Sequence, residues 1–512
     1  SSGSMCRSKE SFASLPYYEG NAVDSWPLRL DVHHEWKGFW WLPDSPDRRM
    51  SGVLKFNPGN GLTLSLSFPS GEAFSCPPSL WKVLFGEADG QKLTLFDCFP
   101  NPPSPKDLVG YQCGNAPQLQ VKVEKVLVNA HCKTNASFHS VEFSFVGLSK
   151  WVGMSAPGGA SRATGATSLP GSAEVEIREK SGQNAEANGK RIVYNFSLGY
   201  TSSSYAQESV ANEAVYLRVS SSEGLALEEA LEKVRLMQEL VAFALQDTPN
   251  ITWVRLRIDS LEDLDRQSDS KVDLLYSPSL VGKYGIRSIE EEMPLFTCKH
   301  LSFERAVKLW CEKRDSLRGA ISMIMSLYYA PSPYVESNLL MVVGAAEVLH
   351  RELEIREKLI RVSNRGFRTI RDCMLDGLPA EYQQYKNRFR AAIRNEPSLE
   401  DRLLDLAKRL DQDDHNCLGL DVSKWAELTK LTRNKLVHTG KVQDSSLEKL
   451  DAIVEVTKAV VVFNLLKEFR LPFDCWLEIM CEHPYLSRAA RLLKDCLTGG
   501  SEGRSAIRDE GI

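Results

Sequence analysis

The sequence predicts an α+β multidomain chain: a β-rich N-terminal half, a sandwich or open barrel with one helix, followed by an all-α helical bundle. Three observations carry this. Before residue 150 the apolar residues alternate in short runs separated by Gly/Pro/Asn turns, the pattern of antiparallel strands. One long stretch of helical period interrupts that region at Leu225–Leu245. From Leu301 onward the period changes to 3.6 and stays there. A length of 512 residues suits two to four domains. The expected division is a β-rich region over 5–295 and a helical one over 301–497. Residues 1–4 read as a non-native leader ahead of Met5, and 498–512 as a disordered tail.

Gly38-Phe39-Trp40-Trp41-Leu42 opens the strands. Met50–Phe56 and Leu62–Phe68 flank Asn57-Pro58-Gly59-Asn60-Gly61, a hairpin signal. Trp81–Phe85 and Gln91–Phe96 flank a turn with Gly86 and Gly90. In Leu119–Val128 the alternation changes phase between Val123 and Val126, which predicts a bulge or bend. Phe138–Val146 alternates again. Residues 153–172, rich in Gly, Ala, Ser and Thr, predict a long mobile loop. Further strands are expected at Glu174–Ile177, Arg191–Leu198, Ala214–Val219 and Ile251–Ile258, with a polar loop over Ser181–Gly189.

The helical half is expected to comprise Leu301–Tyr329, a long helix Tyr334–Leu359, shorter ones near Glu381–Arg394 and Leu399–Leu410, then Val422–Val437 capped by Asp421. Leu447–Arg470 follows, capped by Ser445 or Ser446. Its run Ala459–Leu466 is apolar all round, the mark of a buried helix. One or two short helices complete residues 474–496.

The formal net charge of −5 excludes any argument for nucleic acid from global charge, so such a surface must be local. The C-terminal part is the less acidic, with 33 Lys+Arg against 32 Asp+Glu after residue 300 and 29 against 35 before it. Twelve scattered Cys without a C-x-x-C pair speak against a thiolate metal site or a disulfide framework and fit a reducing cytoplasm. No run of 18 apolar residues occurs, so no membrane helix is expected.

Chemistry concentrates in Thr432-Arg433-Asn434-Lys435-Leu436-Val437-His438-Thr439-Gly440. An Arg followed by a His five to seven positions on is cheap: chance gives about two in a chain of this composition. Three occur, at Arg29…His34, Arg409…His415 and Arg433…His438. Only the last adds an Asn after the Arg, lies on a predicted bundle helix and is flanked by Lys430, Lys435 and Lys441. The plain alternative is a solvated helix end. Arg433 and His438 stand about 140° apart around one helix, so a single copy does not aim both at one atom. Two copies meeting about a two-fold axis can pool them.

The chemistry such a set supports is cleavage of RNA through attack by its own 2′-OH, which needs no metal and no cofactor. His438 would be the general acid or base. Arg433 would hold the phosphate oxygens, and Asn434 would orient either.

Basic residues cluster over 351–371, with Arg361, Arg365 and Arg368 at helical spacing if the helix continues. That suits an RNA backbone or, more plainly, a solvated face with i,i+4 pairs. Glu347 interrupts an apolar run and needs a partner, for which Arg433 is one candidate. Phe39, Trp40, Trp41 and Trp81 read as core aromatics rather than a stacking platform.

The motif resembles the R-x4-H signature, with Asn after Arg, of HEPN domains. Ser337–Arg351, with Ala346-Glu347-Val348-Leu349-His350, resembles an early helix of the ApeA-like HEPN group. Gly38-Phe39-Trp40-Trp41-Leu42-Pro43 followed by Ser51-Gly52-Val53-Leu54-Lys55-Phe56 resembles the β-rich ApeA N-terminal domain. The resemblance implies a metal-independent endoribonuclease of anti-phage defence, acting by abortive infection, with RNA (tRNA among the candidates) as substrate. It also implies a homodimeric or larger assembly and a phage-derived trigger sensed or restrained by the β-rich half. Arg433, Asn434 and His438 carry over as catalytic and Glu347 as their support. The alternative is a HEPN scaffold that only binds RNA or dimerises. Some HEPN toxins carry a modifiable Tyr two positions past the His; here that position is Gly440.

Overall fold

The computed structural model describes residues 27–67, 80–101, 118–153, 177–187, 190–202, 209–258, 270–278, 293–355, 362–411, 422–440, 446–492 and 494–495. The leader, the 153–172 loop beyond Gly153 and the tail lie outside them.

The first six strands are β1 (His34–Trp41), β2 (Met50–Asn57), β3 (Gly61–Ser67), β4 (Trp81–Ala88), β5 (Gln91–Asn101) and β6 (Gln118–Val128). They pair antiparallel in the order β3-β2-β1-β4-β5-β6, and β3 pairs β6 to close a six-stranded barrel. Closure removes the free edges that an open barrel would expose. Trp40 fills the interior, fully buried. A Cβ on Gly86 would stand 2.3 Å from its indole. Trp41 and Trp81 are buried with it, whereas Phe39 faces solvent.

The change of phase in β6 is a junction. Its residues 118–123 pair with β3, and Lys125–Val128 pair with β12 (Ser270–Tyr276). Opposite the bend, Asp97 of β5 takes φ 50. From there the sheet continues through β12, β11 (Ile251–Ile258), β7 (Ser137–Phe145), β10 (Ser209–Ala226), β9 (Lys190–Ser202) and β8 (Ile177–Ala187). Ser181–Gly189, expected as a loop, is strand as far as Ala187. β8 is the last strand of the sheet and pairs with β9, and its polar sequence hides it. β12 also departs from expectation, because Asp273 breaks its apolar run. Asp273, Arg255, Glu142 and Arg218 stand opposite one another across β12, β11, β7 and β10. Arg255 donates to Asp273 at 2.6 Å, and Arg218 and Arg257 donate to Glu142 at 2.6 and 2.8 Å.

Among the described residues two helices belong to this half, α1 (Leu148–Val152) and α2 (Leu227–Leu245). α2 lies against β7 and β10 and is buried at every residue from Leu236 to Leu245. Its other side meets the helical half. Trp310 donates its indole N–H to the Leu236 carbonyl at 3.1 Å, and Arg314 donates to Glu239 at 2.7 Å. Phe243 stacks on Trp310 and Phe469, with Phe296 beside them, at centroid distances of 5.1–6.5 Å. The two halves therefore share one hydrophobic core.

The expected helix Leu301–Tyr329 is two, α3 (Phe303–Ser316) and α4 (Arg318–Tyr329). Glu352 accounts for the break: its carboxylate accepts from the Gly319 and Ala320 amides at 2.9 and 3.2 Å, capping α4. α5 (Val335–Glu352) is shorter than expected and is followed by Glu354 at φ 53. A new helix, α6 (Asn364–Asp376), starts at the Ser363 cap. The basic cluster is thus not one continuous helix, and Arg361 lies outside the described residues. A 3-10 segment (Ala380–Tyr385) and α7 (Lys386–Ala392) stand where one helix was expected. α8 (Leu399–Asp411), α9 (Val422–Thr439), α10 (Leu447–Lys467), α11 (Phe473–Glu482) and α12 (Pro484–Leu492) complete the bundle. Ser446 caps α10, which is buried over nearly its whole circumference against α5, α8 and α12. The expected cap Asp421 falls outside the described residues.

Candidate active site

α9 has two opposed stripes. Trp425, Thr429, Thr432 and Leu436 recur at helical spacing and are buried against the bundle. Trp425 anchors this side, donating its indole N–H to the Thr457 hydroxyl of α10 at 3.3 Å. Glu427, Leu431, Asn434 and His438 repeat the same spacing on the outer side. His438 is exposed in the last helical turn. Gly440 follows at φ 65 and donates its amide to the Leu436 carbonyl at 2.9 Å, closing the helix.

Arg433 sits on the shoulder that faces α5. Its Nη2 lies 3.5 Å from Oε2 of Glu347, and its Nη1 donates to Oδ1 of Asn434 at 3.2 Å. Both members of the ion pair keep about a third of their surface open, 33% and 28%. The guanidinium is thus oriented from two sides and remains reachable by a phosphate. The pair also explains Glu347: the carboxylate that interrupts an apolar run looks out through the α5–α9 seam.

The other predicted site residues divide. Lys430 is tied to Glu400 of α8 at 2.6 Å, which raises its pKa, chiefly through that hydrogen bond. Lys435 is exposed beside the motif. Lys441 and Arg361 fall outside the described residues. Arg365 and Arg368 are exposed on α6, which packs against α7, whereas α9 packs against α8 and α5. Glu400 and the exposed Leu431 and Val437 had no signal in the sequence as neighbours of the site; their roles follow from which helices meet.

The arginines of the two other Arg/His pairs are each held by a carboxylate. Arg29 binds Asp31 at 2.5 Å, and the His34 ring bonds to the Arg29 carbonyl at 2.8 Å. Arg409 holds Glu468 and Asn464; His415 lies outside the described residues.

Comparison with known families gives a match to ApeA N-terminal domain 1 over residues 35–310, more than half of the 512-residue chain. The chain belongs to the ApeA family. A second match, to Apea-like HEPN, covers residues 340–475 of this ApeA-family chain and contains both Glu347 and all of α9. No curated protein and no solved structure matches it. No helix among the described residues of the ApeA-family chain is long and apolar enough to cross a membrane.

Proposed function

We propose that the chain is a HEPN-type endoribonuclease of anti-phage defence that cleaves RNA at a site shared by two copies. HEPN domains are generally of ribonuclease type, and ApeA-like ones suggest a defence role. The observation that carries the reading is the Glu347–Arg433–Asn434 contact set beside an exposed His438 on the same helix. In the reaction the 2′-oxygen attacks phosphorus and the bond from phosphorus to the 5′-oxygen breaks. The proton of the 2′-OH passes to a general base. The leaving 5′-oxygen takes a proton from His438 acting as general acid. Arg433 neutralises the charge building on the non-bridging oxygens. The products are a 2′,3′-cyclic phosphate and a 5′-hydroxyl. Because the nucleophile is part of the substrate, the reaction runs without a metal.

Arg433 and His438 diverge around α9, so the complete set requires a second α9 across a two-fold axis. Exposed Leu431 and Val437 next to the motif favour such a contact. They also suit the second reading, a bundle that only dimerises or docks RNA.

The test is cleavage of total cellular RNA in EDTA, with and without extract from phage-infected cells as the source of a trigger. The parent should cut, and His438→Ala and Arg433→Ala should lose about 10²–10⁴-fold in rate. Equal inertness of all three with extract present removes the enzyme reading. Cleavage abolished by EDTA replaces it with a metal-dependent one.

A further inference from the structure

We infer that α6, the 3-10 segment and α7 form an arm that binds single-stranded RNA by base stacking. Tyr382, Tyr385 and Phe389 carry the argument. Tyr382 and Tyr385 are three apart in a 3-10 segment and so share an edge. Phe389 follows Tyr385 by four on α7, with ring centroids 6.4 Å apart and planes tilted by 55°. All three remain 41–48% exposed. A run of open aromatic faces on one edge is what successive unpaired bases stack on, whatever their sequence.

Charge favours RNA over another apolar partner. Residues 362–396 hold seven Lys/Arg against four Asp/Glu, in a chain of net charge −5. Three of those acids are already engaged: Asp376 by Lys386 at 2.6 Å, Asp372 by Arg371 and Arg390 at 3.4 and 3.9 Å, and Glu396 by Arg402 at 3.5 Å. The Asp376–Lys386 and Asp372–Arg390 pairs fasten α6 to α7. No ion pair among the described residues takes up Arg365, Arg368, Arg388 or Arg394, which remain exposed for phosphates.

The arm also leads somewhere. Arg394, just past α7, lines a cleft of about 520 Å³ together with Arg351, Arg402, His350, Glu354 and Glu396. Arg351 stands one helical turn from Glu347 on the same face of α5. The cleft therefore lies between the end of the arm and α5, the helix that carries Glu347, and a strand stacked on the arm would run toward the candidate cleavage site. The direction of that run rests on the nuclease reading; the binding does not.

The test uses the full chain carrying His438→Ala and a fluorescein-labelled oligouridine of about a dozen nucleotides, read by anisotropy. The single strand should bind at least about tenfold more tightly than a duplex of equal length, and Tyr385→Leu with Phe389→Leu should weaken it about tenfold or more. Both positions are exposed and Leu keeps their apolar bulk, with circular dichroism as the check on folding. Tyr382→Trp should tighten binding. Arg365→Gln with Arg368→Gln should reduce the slope of log affinity against log salt by about 1.4. Unchanged affinity in the Leu pair overturns the proposal, as does equal binding of the duplex. A changed sedimentation coefficient in the Leu pair with RNA affinity intact assigns the face to a protein contact instead. Arm-dependent binding by a protein that never cuts RNA leaves the arm standing without the nuclease. Cleavage with arm-independent binding removes the arm alone.

Discussion

The Arg433 guanidinium lies 3.5 Å from the Glu347 carboxylate, across the seam between α9 and α5. The pair is open enough to solvent that its own worth to folding is small, at most about 1 kcal/mol. Its effect is orientation: Glu347 holds one side of a guanidinium whose other side Asn434 holds.

Glu347→Gln should therefore leave the urea midpoint nearly unchanged and lower RNA cleavage by roughly ten- to a hundredfold, since a misplaced phosphate-binding group costs on that scale. The fall should be in kcat more than KM. A fall matched by equal loss of stability would make Glu347 structural only.

His350, one turn from Glu347, is buried and bonds to Asp405 at 3.1 Å. Burial lowers its pKa, and the Asp405 carboxylate only partly offsets this. The folded pKa thus lies below the unfolded one, so the unfolded chain takes up the proton first. Stability should fall as pH drops below about 6.5 and level off beneath the folded value. Urea midpoints for parent and His350→Gln should converge as pH falls through that window; parallel profiles would assign the acid sensitivity to other groups.

Arg255 donates to Asp273 at 2.6 Å in the middle of the extended sheet, and both are buried. Arg255→Ala leaves the buried Asp273 carboxylate without its guanidinium and should destabilise the β half by about 3–5 kcal/mol. Denaturant unfolding followed by Trp fluorescence measures this. A loss below about 1 kcal/mol would mean that water replaces the guanidinium.

Phe469 contacts Phe243, Phe296 and Trp310 where the halves meet. Phe469→Ala should cost about 3–5 kcal/mol and concentrate that loss at the joint. Calorimetry should then show two transitions in place of one. A single transition at lower temperature would show that the remaining contacts of α2 keep the halves together.

Sequence alone determined most of the helices and strands, though not β12 or the greater part of β8, because backbone periods of 3.6 and 2 print themselves on neighbouring side chains. It marked α2, the buried α10, the bend in β6, and the outward pairing of Asn434 with His438, all local features. Where a local pattern was broken by a distant partner it misled: Asp273 hid β12, and Glu352 split the helix expected over Leu301–Tyr329. Only the tertiary structure decided that the barrel closes through β3 and β6, that α2 joins both halves in one core, and that Tyr382, Tyr385 and Phe389 stay uncovered. It also separated Arg433 from two Arg residues of similar spacing, through what each guanidinium touches. Contacts between segments far apart in the chain follow from packing, and packing leaves no period in the sequence to read.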